Sequence, residues 1–332
     1  MTNYLGILHN SDPLYTILAL RATPGITNPI FHVSRMHRNT VFKYTEERTG
    51  ISLVGKFFNP DSGPNENISG IHREYDNLKA MRAHGLDCPP HYVVRPISRE
   101  RRIGCALIEE FIDGNDLDHY LKRAVYFDDG IFLGKRLAGL ARFLFMLHRA
   151  TRRSEKVNLD PQDHYFQKIV DTLFTENIID PGDRERCLTL KDMWLARNIL
   201  RNPHNGIVHG DSTPTNFIFT GSGDVVAIDL ERMKEADAVF DIGMVCAEMK
   251  HAFLWRCGNR YAAEPYIRQF FEDYSSHFAN PLATFRDLTR RNPFYMALSE
   301  LRIARNKYLD MAYRKKLAQE ALDCLEHGLL IP

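Results

Sequence analysis

Cysteine is sparse: Cys88, Cys105, Cys187, Cys246, Cys257 and Cys324 are scattered over 332 residues and form no Cys-x-x-Cys pair. That scatter gives no disulfide framework and predicts free, mostly buried thiols in a reducing cytoplasm. Charge of one sign is also lacking. The 43 Lys and Arg residues nearly cancel the 42 Asp and Glu residues, leaving a formal net charge of +1. No overall field therefore favours nucleic acid or an anionic membrane, and neither is an expected partner. No apolar run approaches the length needed to span a bilayer. The opening MTNYLGILHNSDPL has neither a basic n-region nor a long apolar core, so no signal peptide is expected. There is no internal repeat and no low-complexity tract. The 44% hydrophobic and 26% charged residues are the proportions of a globular chain. Its length predicts one large domain or two smaller ones.

Chemistry gathers in one stretch, Ile207 to Glu231, which reads IVHGDSTPTNFIFTGSGDVVAIDLE. Two short apolar runs, Phe217 to Phe219 and Val225 to Ile228, flank a Gly-Ser-Gly-Asp turn, the pattern of a β-hairpin. Polar groups sit at both ends: His209, Asp211 and Asn216 before it, Asp229 and Glu231 after it. A hairpin would bring these ends together, so that Asp211, Asn216 and Asp229 converge. Two carboxylates and an amide oxygen are hard ligands, suited to Mg2+ rather than zinc. Upstream, Lys56 stands inside the apolar strand LVGKFF. A buried lysine is costly unless its ammonium finds a partner, so Lys56 either snorkels from an edge strand or serves a site.

Asn216 follows Asp211 by five positions and Asp229 follows Asn216 by thirteen. His-Gly-Asp, the spaced Asn and Ile-Asp-Leu-Glu at that spacing resemble the catalytic loop and metal-binding segment of the protein-kinase-like superfamily. They look most like its aminoglycoside phosphotransferase and choline kinase branch. The resemblance implies an α+β, two-lobed fold: a small β-rich nucleotide-binding lobe over residues 1–112, hinge included, and a larger, mainly helical catalytic and substrate lobe over 113–332. It implies transfer of the γ-phosphoryl group of ATP, or of GTP, to a hydroxyl of a small molecule. Asp211 would orient that hydroxyl and accept its proton, while Asn216 and Asp229 would hold Mg2+. Lys56 would contact the α- and β-phosphates, positioned by Glu74, and backbone groups of Glu110, Phe111 and Ile112 would meet the adenine at the hinge. One part departs from the pattern. The loop that should cover the phosphates, Ser34 to Thr40, contains no glycine, which leaves Ser34, Asn39 and Thr40 as alternatives and the choice of ATP or GTP open. A protein-phosphorylating relative, an inert nucleotide-binding scaffold and a metal hydrolase are the rival readings. No long activation segment with an Ala-Pro-Glu-like end follows Asp229, the glycine-free loop favours the scaffold, and His-rich ligand spacing is missing.

The remaining expectations are structural. Tyr15 to Leu20 reads as an edge strand or a capping helix. Val41 to Tyr44, Ile51 to Phe58, Tyr92 to Pro96 and Cys105 to Ile108 read as strands. Ile71 to Ala83, carrying Glu74 and ended by Gly85, reads as a helix. The clearest helix is Phe132 to Arg149, with leucines at i, i+3/i+4 and i+7, and with His148 as a core histidine. Further helices are expected from Phe240 to Phe253, from Tyr266 to Phe278 and from Ala297 to His327. Asp241 is expected to brace the catalytic loop, as the resemblance implies. Arg302, Arg305, Lys307, Arg314, Lys315 and Lys316 read as a solvated helix face.

Overall fold

A computed structural model describes residues 3–21, 23–36, 40–57, 64–100, 103 and 106–331, with side chains left aside for 64–69. The chain forms two units, one of residues 1–114 with 226–232, the other of 115–225 with 233–332.

The first unit is built on a six-stranded antiparallel sheet. Its strands are β1 (Asn3–Ile7), β2 (Phe31–Arg35), β3 (Val41–Glu46), β4 (Ser52–Phe57), β6 (Pro96–Glu100) and β7 (Ala106–Glu110), in the order β1-β2-β3-β4-β7-β6. A short strand, β5 (His91–Val93), precedes β6. Tyr15 to Leu20 falls in a helix, α1 (Pro13–Arg21), whose Leu14 and Leu18 pack with Phe31, Tyr44, Leu53, Ala106 and Ile108 into a buried cluster on one face of the sheet. The second helix, α2 (Pro64–Ala83), contains the expected Ile71 to Ala83 and lies against β6 and β7. Ser34 belongs to strand β2, paired with Lys43, and not to a phosphate-covering loop. Asn39, Phe58 and Cys105 lie outside the described residues.

The second unit is mainly helical. After β8 (Gly114–Asp116) come α3 (Leu117–Phe127), α4 (Gly130–Ala150), α5 (Asp160–Thr175), α6 (Pro181–Leu195) and the one-turn α7 (Asn198–Arg201). The leucine stripe of α4 is its buried face: Leu133, Leu137, Leu140, Leu144 and Leu147 are all inaccessible or nearly so. Strand β9 (Gly206–Val208) leads into the His-Gly-Asp segment, and β10 (Phe217–Thr220) runs to the Gly221–Asp224 turn, after which β11 (Val225–Ala227) enters the 226–232 segment of the first unit. Then follow β12 (Lys234–Ala236), α8 (Val239–Cys257), α9 (Glu264–Ser276), α10 (Pro281–Ala304) and α11 (Met311–Leu329).

Three expectations need correction. Ala297 to His327 is not one helix: α10 ends at Ala304, and Asp310 starts α11 by accepting the Tyr313 N–H at 2.9 Å. The basic set is not one solvated face. Lys315 and Lys316 are exposed, but Arg314 is buried against Glu176 and Arg302 points inward to Glu248. The break at 305–310 separates these residues onto different helices, so a single helical period does not relate them. Nor are the described thiols mostly buried: Cys187 and Cys246 are, Cys324 is half-buried, and Cys88 and Cys257 are exposed. Among the described residues no helix is long and apolar enough to cross a membrane.

Candidate active site

In the first unit, pairing register decides which residues share a face. Leu53 of β4 lies opposite Glu110 of β7, Val54 opposite Glu109 and Lys56 opposite Leu107. Side chains alternate along a strand, so Leu53 points to the α1 core while Val54 and Lys56 point the other way, together with Leu107 and Glu109. Helix α2 covers that second face and adds Glu74. The Lys56 ammonium consequently meets three carboxylates: Glu74 Oε1 at 2.6 Å, Glu109 Oε2 at 3.0 Å and Asp229 Oδ1 at 2.5 Å. One helical turn beyond Glu74, Asn77 Nδ2 donates to the Leu230 carbonyl at 2.7 Å, and Val94 N–H donates to the Ala227 carbonyl at 3.0 Å. These bonds seat the 226–232 segment on the unit. Asp229 takes a left-handed backbone there, with φ of 59°.

Three acids around one ammonium leave the cluster two negative charges in excess if all are ionised. Burial pushes the Glu74 carboxyl up to about 8, against the pull of Lys56, and Glu109 is raised for the same reason. Burial opposes the charge on Lys56, but Glu109, Glu74 and Asp229 together hold it well above the ordinary lysine value. Glu109 Oε1 is buried without a hydrogen-bond partner. The three carboxyls put hard oxygens around one ammonium, the donor type that suits Mg2+.

The segment expected to be the hinge is partly committed to the sheet. Glu110 N–H donates to the Arg95 carbonyl at 3.1 Å and Phe111 N–H to the Ser52 carbonyl at 3.2 Å. Lys43 lies over the Phe111 ring, 3.7 Å from its centroid.

In the second unit, β9 is fixed on both sides. It pairs with β12, and Ile207 N–H donates to Thr151 Oγ1 at 3.0 Å at the end of α4. Past β9 the chain turns at Gly210, whose φ of 79° is open to glycine and strained for most other residues. Asp241, in the first turn of α8, holds this turn. Its Oδ2 accepts from His209 N–H at 2.7 Å and lies 3.1 Å from His148 Nε2, and its Oδ1 accepts from Gly210 N–H at 3.0 Å. Burial would raise its carboxyl, yet the His148 bond, the nearby histidines and the backbone N–H hold it below the ordinary value. The other ring nitrogen of His148, Nδ1, lies 2.9 Å from the Tyr274 hydroxyl, so the ring bridges Asp241 and Tyr274. The expectation of a bracing aspartate and a core histidine thus describes one buried hydrogen-bond chain. Asp241→Asn keeps the size but offers one acceptor oxygen to three donors. It is expected to cost about 1–3 kcal/mol, to be read from urea unfolding. Turnover should fall with it.

Asp211 follows this braced turn, and its carbonyl accepts from Asn216 Nδ2 at 2.8 Å. That commits the amide nitrogen and leaves Oδ1 as the available end. Asp211 Oδ1 stands 3.4 Å from Arg302 Nη1, whose Nη2 pairs with Glu248 at 2.5 Å. Arg302 on α10 and Glu248 on α8 meet because those helices pack closely: a Cβ on Gly243 would lie 2.8 Å from the Tyr295 carbonyl carbon and 2.9 Å from Met296 N.

Of the residues expected from sequence, Lys56, Glu74 and Asp229 come together in the first unit, and Asp211 and Asn216 in the second. Glu109, Arg302 and Glu248 were not anticipated. The alternation Leu107, Glu109 holds the signal for Glu109, but it needs the β4–β7 register to be read.

A family model described as the phosphotransferase enzyme family matches residues 33–279. The chain belongs to that family. No curated protein matches it in sequence. Among solved structures it is similar to a Plasmodium vivax ethanolamine kinase, with 13% identity over 97% of this chain and 91% of that one and a TM-score of 0.63. An ADP-bound aminoglycoside phosphotransferase, APH(2'')-Ib, aligns at 15% identity over 95% of this chain and 97% of that one, with a TM-score of 0.55. The choline kinase LicA from Streptococcus pneumoniae aligns at 15% identity over 88% and 92%, with a TM-score of 0.52. The fold is therefore the two-lobed kinase-like α+β fold, with a β-sheet N-terminal part and a mainly helical C-terminal part.

Proposed function

We propose that the protein transfers the γ-phosphoryl group of ATP to a hydroxyl of a low-molecular-weight substrate. The observation that carries this reading is the Lys56 ammonium held by Glu74, Glu109 and Asp229 at 2.5 to 3.0 Å. A strand lysine fixed by a helix glutamate is placed to receive phosphate oxygens, and family membership supplies the reaction class. Residues 1–112 would form the nucleotide-binding lobe and 113–332 the catalytic and substrate lobe. With Glu110 and Phe111 N–H groups given to the sheet, Ile112 N–H is the hinge donor left for the adenine.

The acceptor oxygen forms a bond to the γ-phosphorus, the bond from that phosphorus to the bridging oxygen breaks, and ADP leaves. Asp211 orients the hydroxyl and takes its proton. Arg302, 3.4 Å from Asp211, keeps that carboxylate oriented while Glu248 draws off part of its charge. Lys56 holds the α- and β-phosphates. Asp229 Oδ and Asn216 Oδ1 are the hard oxygens that would hold Mg2+, which neutralises the phosphate charge when bound. Positioning and charge neutralisation carry the rate, with no covalent intermediate.

Asp229→Asn removes one anion but leaves Lys56 paired with Glu74 and Glu109, so the fold should persist. Calorimetric titration of Mg-ATP is expected to show affinity weakened on the order of tenfold or more, since a hard anionic ligand is lost. Wild-type affinity would remove Asp229 from the metal site. The whole reading is tested by ATP turnover across aminoglycosides, macrolides, choline-like alcohols, sugars and nucleosides, with mass detection of a phosphorylated product. Labelling of proteins with none of these alcohols would replace it with the protein-kinase reading.

A further inference from the structure

The second unit contains a cavity of about 680 Å³ that none of the residues discussed as Mg2+ ligands, acceptor base or nucleotide contacts lines. Its size is that of a small-molecule site. One wall is aromatic: Phe145, Tyr274 and Phe278 pack with ring centroids 5.0 to 6.5 Å apart, and Leu288 extends the apolar surface. Charge on the lining is unequal. The carboxylates are already spent, since Asp237 pairs with Arg291 Nη1 at 2.5 and 2.6 Å and Asp287 pairs with the same guanidinium. Arg149 and Arg152 are exposed at the lining and make no ion pair with any described residue. Two open guanidiniums beside an apolar, ring-lined wall match a ligand with an apolar body and a negative end.

His148 also lines the cavity, beside Tyr274. From the Tyr274 hydroxyl the chain of bonds runs through His148 to Asp241 and on to the N–H groups of His209 and Gly210, directly before Asp211. The Tyr274–His148, His148–Asp241 and Asp241–His209 links are buried and the Gly210 link is part-buried, so little of a shift at Tyr274 is absorbed by solvent.

We propose that this cavity binds a small amphipathic anion, a ring or short alkyl body bearing one carboxylate, sulfonate or phosphate, and that its occupancy tightens the His209–Asp211 turn through Tyr274, His148 and Asp241. The binding step does not depend on the phosphotransfer reading. A protein without kinase activity would still bind the anion, so the two can fail separately.

The test uses the full chain and 8-anilinonaphthalene-1-sulfonate as a fluorescent probe, with decanoate and decanol as competitors. One saturable site is expected, displaced by decanoate at least tenfold better than by decanol and not displaced by saturating Mg-ATP. The double variant Arg149→Glu/Arg152→Glu, and its milder form Arg149→Gln/Arg152→Gln, should weaken both anions, the former tenfold or more, with unchanged Tm. Arg153→Glu, a control at a residue paired with Glu235, should leave binding as in wild type. Hydrogen exchange should show slower exchange at the His209 and Gly210 amides with decanoate bound, and Tyr274→Phe should bind decanoate yet lose that protection. Absence of saturable binding, displacement by Mg-ATP, or equal binding by the double variant overturns the site. Unchanged exchange at His209 and Gly210 under saturating decanoate overturns the coupling.

Discussion

Asp211→Asn is expected to leave Mg-ATP binding nearly intact and to lower turnover by about 100- to 10,000-fold, the range spanned by general acid–base catalysis. The substitution keeps the side chain's volume and removes its charge. Its carbonyl still accepts from Asn216 Nδ2, and the turn before it is still held by Asp241, so the loop should keep its course. What is lost, on the proposed reading, is the group that would orient the acceptor and take its proton. Arg302 is left with Glu248, a pair already at 2.5 Å, so no guanidinium is stranded. Stopped turnover with calorimetry of Mg-ATP binding separates the two quantities. An Asn variant that turns over like wild type places the base elsewhere. One that loses nucleotide affinity as severely as Asp229→Asn makes Asp211 a metal ligand.

Much of this site was legible in sequence because its residues are close in the chain and their types are restricted. His209, Gly210, Asp211 and Asn216 lie on one loop, and Gly210 needs a backbone that few other residues accept. Helix α4 was legible because its leucines, Leu133 to Leu147, repeat at the helical period over about four turns. Glu109 was not. It lies beside Glu110 in a segment read for its backbone, and only the β4–β7 register puts it on the face of Lys56. Register is a long-range property, set by which strands pair, and no local pattern reports it. Arg302 failed for a related reason. A basic residue near other basic residues reads as solvated until the close approach of α8 and α10 at Gly243 turns it inward. The α10–α11 break was missed because its signal, the Asp310 cap, is a common helix start in a segment otherwise apolar at helical spacing.

Lys56→Met tests the first unit's cluster, and its effect on stability depends on pH. In the wild type Glu74 is raised to about 8 from an ordinary 4.5, so the folded state keeps a proton there that the unfolded chain releases. Its burial therefore costs nothing below the unfolded value and weakens the fold progressively as pH rises from about 4.5 to about 8. Lys56 moderates that loss by attracting the anionic form. Without it, Glu74 and Glu109 face each other buried and unpaired, their carboxyls rise further and the window of loss extends to higher pH. At about pH 9 the variant is expected to lie about 3–5 kcal/mol below wild type, the cost of breaking a buried pair, and near pH 5 much closer to it. Methionine at an ordinary surface lysine would change stability by only about 0.5 kcal/mol at either pH. Turnover should fall tenfold or more, about 1.4 kcal/mol, at any pH where the variant is folded. Adding Glu109→Gln to the Met variant separates the two roles of the lysine. It removes one stranded carboxylate and should restore part of the stability at high pH, while the phosphate contact stays missing and turnover stays low. Urea unfolding of the single and double variants across this pH range, beside turnover, decides it. A Met variant with wild-type kinetics would take Lys56 out of nucleotide binding, and one with a flat pH response would take Glu74 and Glu109 out of its charge balance.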